Sequence, residues 1–528
     1  TMEQFFTGRH ENWRVEARHR LADVEGLVDG EPFRDARRRR IDRISRPAVE
    51  FFVATNGDDA NPGTRRRPFA TLERAREVVR QLRGGGPLPK GGVTVNLRNG
   101  TYRRMQCFEL CEQDSGTFEA PVVYQAFRAE KVTLSGGVEV SGFRPVTAKD
   151  ASGRLLEASR EHVVVLDLEG AGVTDFGTIH PRGYAIRPVP AHLELFFNDE
   201  PMQLARWPNA AVTIAEAYAQ VKGFADGNFE PFYDKPMNMS NAFVYKDDLQ
   251  DVWQHEPDAW IFGYWNRWFC ARYSPLKKLE PDKNIIRMGL PGAACGRNPK
   301  KGYETGGIFK GAPYFGINLL CELDSPGEWY LDRDSGKLYF WPPSPVSRGR
   351  AVVSLLEDRM LSFDGASHIV FRGMTLEAGR GDAVWIKGGE GVLLAGCVVR
   401  NMGNSAVVIG PAPKESKRMS DPTVGGWRHG VIGCDILNMG DAGVHMTGGD
   451  EETLTPCGHF VENCHIHHIN RWNRAGYQPA VFFGTVGGRA SHNLIHDISH
   501  QAVRAERNDN VFEYNEVHDA PYEAREMG

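Results

Sequence analysis

One short stretch of the sequence carries a high density of side chains that bind metals. The segment VENCHIHHIN, Val461 to Asn470, contains Cys464, His465, His467 and His468. Zinc prefers thiolate and imidazole ligands, so a metal site is one interpretation of this pattern. The other is a strand whose cysteine is buried as a small apolar residue, while the histidines form a hydrogen-bonding ladder outside. We favour the ladder and predict no metal here, because histidines on stacked strands point in parallel directions and do not converge.

A second group of residues could perform acid–base chemistry in the last third of the chain. The candidate catalytic residues are Asp441, His500 and Glu526. Glycosidases use two carboxyl groups about 5 to 9.5 Å apart, one as acid and the other as base or nucleophile. The candidates for binding substrate are His445, Trp472, Arg474, Gln478, Arg504, Glu506 and Glu523.

A repeated pattern must position these side chains. Six segments align, starting at residues 373, 396, 433, 463, 492 and 514: GMTLEAG, GCVVRNMG, GCDILNMG, NCHIHHIN, HNLIHDIS and YNEVHDAP. The first five are each followed by a second short strand: DAVWI, SAVVI, AGVHM, PAVFF and QAVRA. Short strands that recur every 22 to 37 residues or so, with loops inserted, are typical of a solenoid. The pattern predicts an all-β, right-handed parallel β-helix in which each repeat is one coil.

Stacking the coils puts equivalent residues into columns with a spacing of about 4.8 Å. The column predicted to face inward is Val399, Ile436, Ile466, Ile495 and Val517. Cys397, Cys434 and Cys464 form another column of buried, reduced thiols, and His467, His496 and His518 form an outward stack.

The polar column just ahead of the second strand is Asn404, Asp441, Gln478 and His500, and Glu526 falls into the same column. Three coils separate Glu526 from Asp441, about 14 Å, which is too far for a carboxylate pair. The pairings of Glu526 with His500 and of Asp441 with His500 stay open. Trp472 either stacks on a sugar ring or anchors its loop.

Composition limits the other possibilities. The 63 basic and 68 acidic residues give a net charge of −5, which argues against a nucleic-acid partner. No apolar run approaches the ~18 residues of a membrane span, and the sequence contains no GxSxG, HExxH or Walker motif. The 58 glycines favour a turn-rich β protein, and nine cysteines argue against a fully paired disulfide framework.

Four segments of the chain differ in composition and in their predicted secondary structure. We predict a charged helical extension at 1–48, a cap with an amphipathic helix and the first coils at 49–140, an inserted β-rich domain at 141–345, and β-helix coils at 346–528. The aromatic residues Trp260, Tyr264, Trp265 and Trp268 are either core of the inserted domain or a carbohydrate platform. The chain begins at Thr1 and stops inside a repeat, so we expect a longer native protein at both ends.

Several segments resemble known families. VATNGDDANPGTRRRPFATLERARE with LRNGTYRR resembles the N-terminal coil and cap of secreted bacterial β-helix proteins. ELFFNDEPMQLARWPN, ELDSPGEWYLDRDSGKLYFWPP and GDAGVHMTGGDEETLTPCGHFVENCHIH resemble glycoside hydrolase family 141. That resemblance implies hydrolysis of complex polysaccharides, of the α-L-fucosidase or xylanase type, and a secreted or periplasmic location. It also implies catalytic carboxylates on the outer face. The family's aspartate ahead of an AGAIY-like strand matches Glu526, whereas a further acid on a later coil has no counterpart here.

We therefore predict a glycoside hydrolase whose partner is a polysaccharide or oligosaccharide. A polysaccharide lyase is the alternative enzyme, with His500 or Arg504 as the base that removes a proton beside a uronate carboxylate. A non-catalytic protein that binds glycan or builds a surface structure is the alternative class. No cofactor is indicated, although calcium stays open, and the sequence does not determine the sugar, the linkage or the oligomeric state.

Overall fold

The computed structural model describes residues 47–528 except for 151–152, 185, 211–213, 226–228, 233–234, 239–240, 247, 266–267, 270, 290–307, 412–421 and 524–528. The predicted extension at 1–48 and the candidate Glu526 therefore lie almost wholly or wholly outside the described residues. The prediction of an all-β parallel β-helix is confirmed, because three long parallel sheets run along the described chain.

Each complete coil contributes one strand to each of the three sheets in turn. Val49–Val53 adds a strand to the first sheet only, and the last described coil adds strands to the first and second sheets only. The first sheet contains Val49–Val53, Val93–Leu97, Val122–Ala126, Ile369–Arg372, Leu393–Ala395, Gly430–Ile432, Phe460–Glu462, Arg489–Ser491 and Val511–Glu513. The second sheet contains Gly100–Arg103, Val132–Ser135, Thr375–Glu377, Val398–Arg400, Asp435–Leu437, His465–His467, Leu494–His496 and Glu516–His518. The third sheet contains Phe108–Cys111, Leu361–Asp364, Val384–Lys387, Val407–Ile409, Val444–Gly448, Val481–Thr485 and Val503–Ala505.

The predicted columns match the pairing of the strands. Val399 pairs with Ile436, Ile436 with Ile466 and Ile466 with Ile495, and all four side chains are buried in the core. Val517 continues the register but is 41 % exposed, because no further described coil covers it.

The cysteine and histidine columns also form as predicted. Cys397, Cys434 and Cys464 are buried, and none of the seven cysteines that the structure describes is disulfide-bonded. The rings of His467, His496 and His518 are stacked nearly parallel, with centroid distances of 5.0 and 4.8 Å.

An α-helix at Leu72–Gly84 covers the N-terminal end of the β-helix core. The Thr71 hydroxyl caps it by accepting a hydrogen bond from the Arg74 N–H at 3.1 Å. Leu72, Ala75 and Val79 are buried as its amphipathic pattern predicts, whereas Leu82 in the last turn is 40 % exposed. Two further α-helices have one turn each, Ile214–Ala217 and Pro422–Gly425. No helix in the described ranges is long and apolar enough to cross a membrane.

Between the second and third strands of one early coil, the chain leaves the β-helix and forms the inserted domain. One sheet contains Gly137–Val140, Leu195–Phe197, Glu200–Pro201 and Ala351–Ser354, and a second contains Arg144–Pro145, Val164–Asp167, Gln203–Leu204, Glu328–Asp332 and Lys337–Phe340. The largest contains Arg206–Trp207, Ala219–Gln220, Gly223–Phe224, Ala242–Val244, Trp260–Tyr264, Ala271–Glu280, Ile285–Met288 and Pro313–Ile317. Phe229–Phe232 and Lys235–Asn238 form a separate hairpin. Trp260, Tyr264 and Trp265 are buried core residues of this domain.

Candidate active site

A cavity of about 250 Å³ opens on the outer face of the third sheet, where a loop of the inserted domain reaches the β-helix. The chain segments around it come from distant parts of the sequence. The charged and polar residues that line it are Arg187, Glu357, Asp358, Arg359, Asp382, Asn404, Ser405, His445 and Gln478. Pro188, Pro190, Trp385 and Val408 supply most of its apolar wall. Two of the predicted site residues, His445 and Gln478, are therefore brought together here.

Asp382 is an acid of this cavity that the sequence analysis did not select. It stands two residues before the strand Val384–Lys387, and its Oδ1 accepts a hydrogen bond from the Ser405 N–H at 2.9 Å. The pKa of Asp382 is raised to about 6, mainly by burial and in part by the charge of Asp441, while the Ser405 hydrogen bond lowers it. Asp382 can therefore carry a proton near neutral pH.

Asp358 lies on the coil next to that of Asp382. The Met360 N–H donates to the Asp382 carbonyl at 3.2 Å, which fixes the two coils in register. Gly381 permits this close approach, because a Cβ there would lie 2.6 Å from the Glu357 carbonyl oxygen. Asp358 is exposed at the cavity, whereas neighbouring Glu357 is paired with the Arg380 guanidinium at 3.2 Å.

Asp441, a predicted catalytic residue, is buried behind the cavity wall. Arg182 from the inserted domain ion-pairs with the Asp441 Oδ1 at 3.3 Å and donates to the Asn404 Oδ1 at 2.8 Å. The same guanidinium donates to the Gly403 carbonyl at 3.0 Å. Asp441 therefore ties the inserted domain to the β-helix, and it acts on the cavity through its charge.

His445 presents a neutral imidazole to the cavity. Its side chain is almost fully buried, and no described residue hydrogen bonds to either ring nitrogen. Burial, helped by the charge of Arg504, lowers the pKa of His445 to about 4. This imidazole is neutral near pH 7 and offers a lone pair to a substrate, but its low pKa makes it a weak proton acceptor.

Positive charge enters the cavity from Arg187 and Arg359. The Arg359 guanidinium carbon lies 3.2 Å from the centroid of a Trp385 ring, a cation–π contact. The Trp385 indole in turn donates to the Gly410 carbonyl at 2.7 Å, which fixes the ring. These groups could hold an anionic or hydroxyl-rich substrate against the third sheet.

The polar residues at the C-terminal end of the third sheet do not line this cavity within the described ranges. His500 is fully buried against the ring of Tyr477 at 5.3 Å, and burial lowers its pKa to about 4. Arg504 lies over Tyr477 with 4.7 Å to the ring centroid and ion-pairs with Glu506. The predicted pairing of His500 with Glu526 lies outside the described residues.

Trp472, Arg474 and Glu523 lie at a second junction between the inserted domain and the β-helix. Trp472 and Arg474 line a separate cavity of about 310 Å³ there. Arg474 donates to the buried Glu523 carboxylate at 2.7 Å, while burial raises the pKa of that acid. Trp472 is half-buried, with its ring edge-on to His192 at 4.5 Å. These contacts favour the interpretation in which Trp472 anchors its loop.

Comparisons with known proteins agree with this architecture. Residues 382–524 match the family described as the right handed beta helix region. YwoF, an uncharacterised protein of Bacillus subtilis (strain 168), is 34 % identical over 86 residues, which is 16 % of this chain and only 15 % of YwoF.

Two solved structures superpose on the chain to different degrees. A glycoside hydrolase superposes with a TM-score of 0.64 at 16 % identity, covering 90 % of both chains. XylC in complex with xylose gives a TM-score of 0.47 at 12 % identity, covering 89 % of this chain and 63 % of XylC. The first of these similarities and the family match define a right-handed parallel β-helix protein.

Proposed function

We propose that this protein is a glycoside hydrolase that acts on a complex polysaccharide at the cavity around Asp382. The observation that carries the proposal is an acid with a pKa raised to about 6 in an open cavity that also contains a second, exposed carboxylate, Asp358. The fold shared with a glycoside hydrolase supports the proposal as an analogy of scaffold, while the function itself is argued from the residues of the cavity.

In this proposal Asp382 is the general acid. It donates its proton to the glycosidic oxygen as the bond to the anomeric carbon breaks, and the raised pKa keeps that proton available. Asp441 contributes from behind the wall, because its negative charge favours the protonated form of Asp382.

Asp358 is the second carboxylate. Asp358 lies on the neighbouring coil, one position before the residue that the strand register places opposite Asp382. In a retaining enzyme the two carboxyl groups stand roughly 5 to 5.5 Å apart, and the proposal requires this separation when substrate is bound. Asp358 would then attack the anomeric carbon and form a glycosyl ester. Asp382 would next take a proton from the water that hydrolyses this ester, so that the product keeps its anomeric configuration.

A polysaccharide lyase is the second candidate, and the geometry at His445 favours it. A neutral imidazole and two arginines, Arg187 and Arg359, line the same cavity. The imidazole would remove the proton beside a uronate carboxylate, while the arginines would neutralise that carboxylate. The lyase leaves a double bond in its product, and the hydrolase does not.

The test incubates the protein with pectic, xylan and fucosylated glycans and measures two products. New reducing ends without ultraviolet absorbance support the hydrolase, and nuclear magnetic resonance of the first product should then show a retained anomeric configuration. Absorbance from an unsaturated sugar would replace the hydrolase with the lyase. Glycan retention on a column without either product would refute both and indicate a binding protein.

A further inference from the structure

Three histidines on the outer face of the second sheet come together away from the candidate active site. His465 and His467 alternate with buried Ile466 on one strand, and His496 lies on the next coil directly beside His467. One ring nitrogen or another of each histidine lies within 4.8 Å of the others. Three ring nitrogens therefore lie close enough together to share one ion, although the rings of His467 and His496 stack nearly parallel.

The closest contact in the cluster joins two ring nitrogens that usually bind metals. The Nε2 atoms of His465 and His496 lie 2.7 Å apart. Two neutral imidazoles can meet in this way only when one nitrogen carries a hydrogen and the other does not. A divalent cation can replace this hydrogen bond when the hydrogen of His465 moves from Nε2 to Nδ1, because the cation then binds a lone pair on each of the two Nε2 atoms.

A neighbouring carboxylate sets the tautomer of His496. Its Nδ1 lies 2.5 Å from the Asp497 Oδ2, so Nδ1 carries the hydrogen and donates it to the carboxylate. The Nε2 atom that faces His465 is consequently the one with the lone pair. Carboxylate–histidine pairs of this kind orient the ligands of natural zinc sites.

The charges around the cluster favour a cation. Asp435 on the preceding coil is the register partner of His465. On the following coil, His518 contacts the carboxylates of Glu516 and Asp519. The nearest arginine in the column of His467 is Arg400, which lies two coils away. Its charge is balanced by Glu377, whose carboxylate is 2.6 Å from the guanidinium. The half-buried histidines thus lie in an acidic setting that is partly shielded from water.

From this geometry we propose that His465, His467 and His496 bind a zinc-class divalent cation that clamps two coils of the β-helix together. An all-imidazole donor set suits zinc, copper and nickel better than calcium or magnesium. Zinc binds imidazole nitrogen at about 2.0–2.1 Å, so ligand nitrogens would lie about 3.3 Å apart, within reach of small ring rotations. Three protein ligands leave a fourth position for solvent. This site is independent of the proposed glycan chemistry, because none of its ligands lines the cavity around Asp382.

The test titrates Zn²⁺ into the full chain, prepared without a histidine tag and stripped with a chelator. We expect saturable binding of one ion per chain and a rise in the midpoint of thermal unfolding. With Co²⁺ we expect the intense visible absorption of a tetrahedral site. Asp497→Asn should weaken Zn²⁺ binding on the order of 10–100-fold, because it removes the group that orients His496. His496→Gln and His467→Gln should weaken it more.

His180→Ala is the matched control, because His180 is an exposed histidine of the inserted domain. It should leave Zn²⁺ affinity unchanged. Circular dichroism of each variant checks that the β-helix has folded. The proposal is overturned if Zn²⁺ does not bind saturably, if the Co²⁺ spectrum is that of a weak octahedral complex, or if the folded His496→Gln and Asp497→Asn variants bind Zn²⁺ as tightly as the parent chain. Glycan hydrolysis that persists without metal leaves this outcome unaffected.

Discussion

The middle of the third sheet and its C-terminal end carry similar polar side chains in different surroundings. Near Asp382 and His445, the loop of the inserted domain stands off from the sheet and leaves an open cavity. Near His500 and Arg504, aromatic rings and ion pairs fill the equivalent space. A polar column in a β-helix therefore does not by itself define an active site. A site forms where a neighbouring element leaves room for a substrate, and otherwise the polar groups hold that element in place.

The most direct test of this comparison replaces Asp382, the acid of the open cavity. Asp382→Asn should lower kcat by about 10²–10⁴-fold, because the amide cannot donate the proton that the leaving oxygen needs. The parent enzyme should lose activity as the pH rises through about 6, since Asp382 then loses its proton, and the variant should lack this decline. Initial rates on the best glycan from pH 4 to 8 measure both effects.

Asp364→Asn is the control for that substitution, because Asp364 lies on the same sheet with its side chain 70 % exposed. It should retain the activity and pH profile of the parent. Turnover within a few-fold of the parent in Asp382→Asn would remove Asp382 from the chemistry and would leave the open cavity without its acid.

The fold was predictable from the sequence because each coil repeats the same local pattern of apolar residues. Apolar residues at Val399, Ile436, Ile466 and Ile495 recur in step with the coils, and each becomes a buried core position. The repeat could thus be found without knowing any long-range contact. The opposite holds for the partners of the polar residues.

Asp441 shows why the site was harder to predict. Its place in the polar column is correct, but its partner Arg182 lies 259 residues away in sequence, and no local pattern reports that pairing. Asp382 was visible as the first residue of DAVWI, yet it lies one position outside the chosen column. Its raised pKa arises from burial that only the folded structure creates.

At the second junction, beside the cavity of about 310 Å³, the buried pair of Arg474 and Glu523 should matter for stability. Glu523→Ala should lower the free energy of unfolding by about 3 kcal/mol, because it removes the carboxyl oxygen that accepts a hydrogen bond from the buried Arg474 guanidinium. Urea unfolding followed by fluorescence measures this. The matched control is Glu513→Ala, which breaks the more exposed pair with Arg489 and should cost at most about 1 kcal/mol. Equal costs for the two variants would show that the C-terminal end is not held by its ion pairs.

A pH effect on stability should come from His500. Burial lowers its pKa from 6.5 to about 4, so between these values the unfolded chain binds a proton that the folded chain does not. Stability should therefore fall as the pH drops from about 6.5 to 4, by up to about 3 kcal/mol from this residue. Unfolding at a series of pH values should show a shallower decline in His500→Gln.

His162→Gln provides the comparison, because it removes a histidine that is exposed at the surface of the inserted domain. The buried-imidazole account of the filled end fails if His500→Gln and the parent lose stability in parallel from pH 6.5 to 4.

The smallest expected effect concerns Trp472, which decides whether the second cavity is also a binding site. Its contacts with His192 and Tyr273 join the inserted domain to the β-helix, with ring centroids 4.5 and 6.0 Å away. Trp472→Phe should therefore lower the free energy of unfolding by about 1 kcal/mol, since part of this aromatic packing is lost. KM and kcat should not change. Trp385→Phe at the open cavity should instead raise KM, because the ring that Arg359 covers forms part of the substrate wall. A higher KM in Trp472→Phe with unchanged stability would mean that sugar also binds at the cavity beside Trp472. The contrast between an open cavity that binds substrate and a region that only holds the inserted domain would then no longer hold.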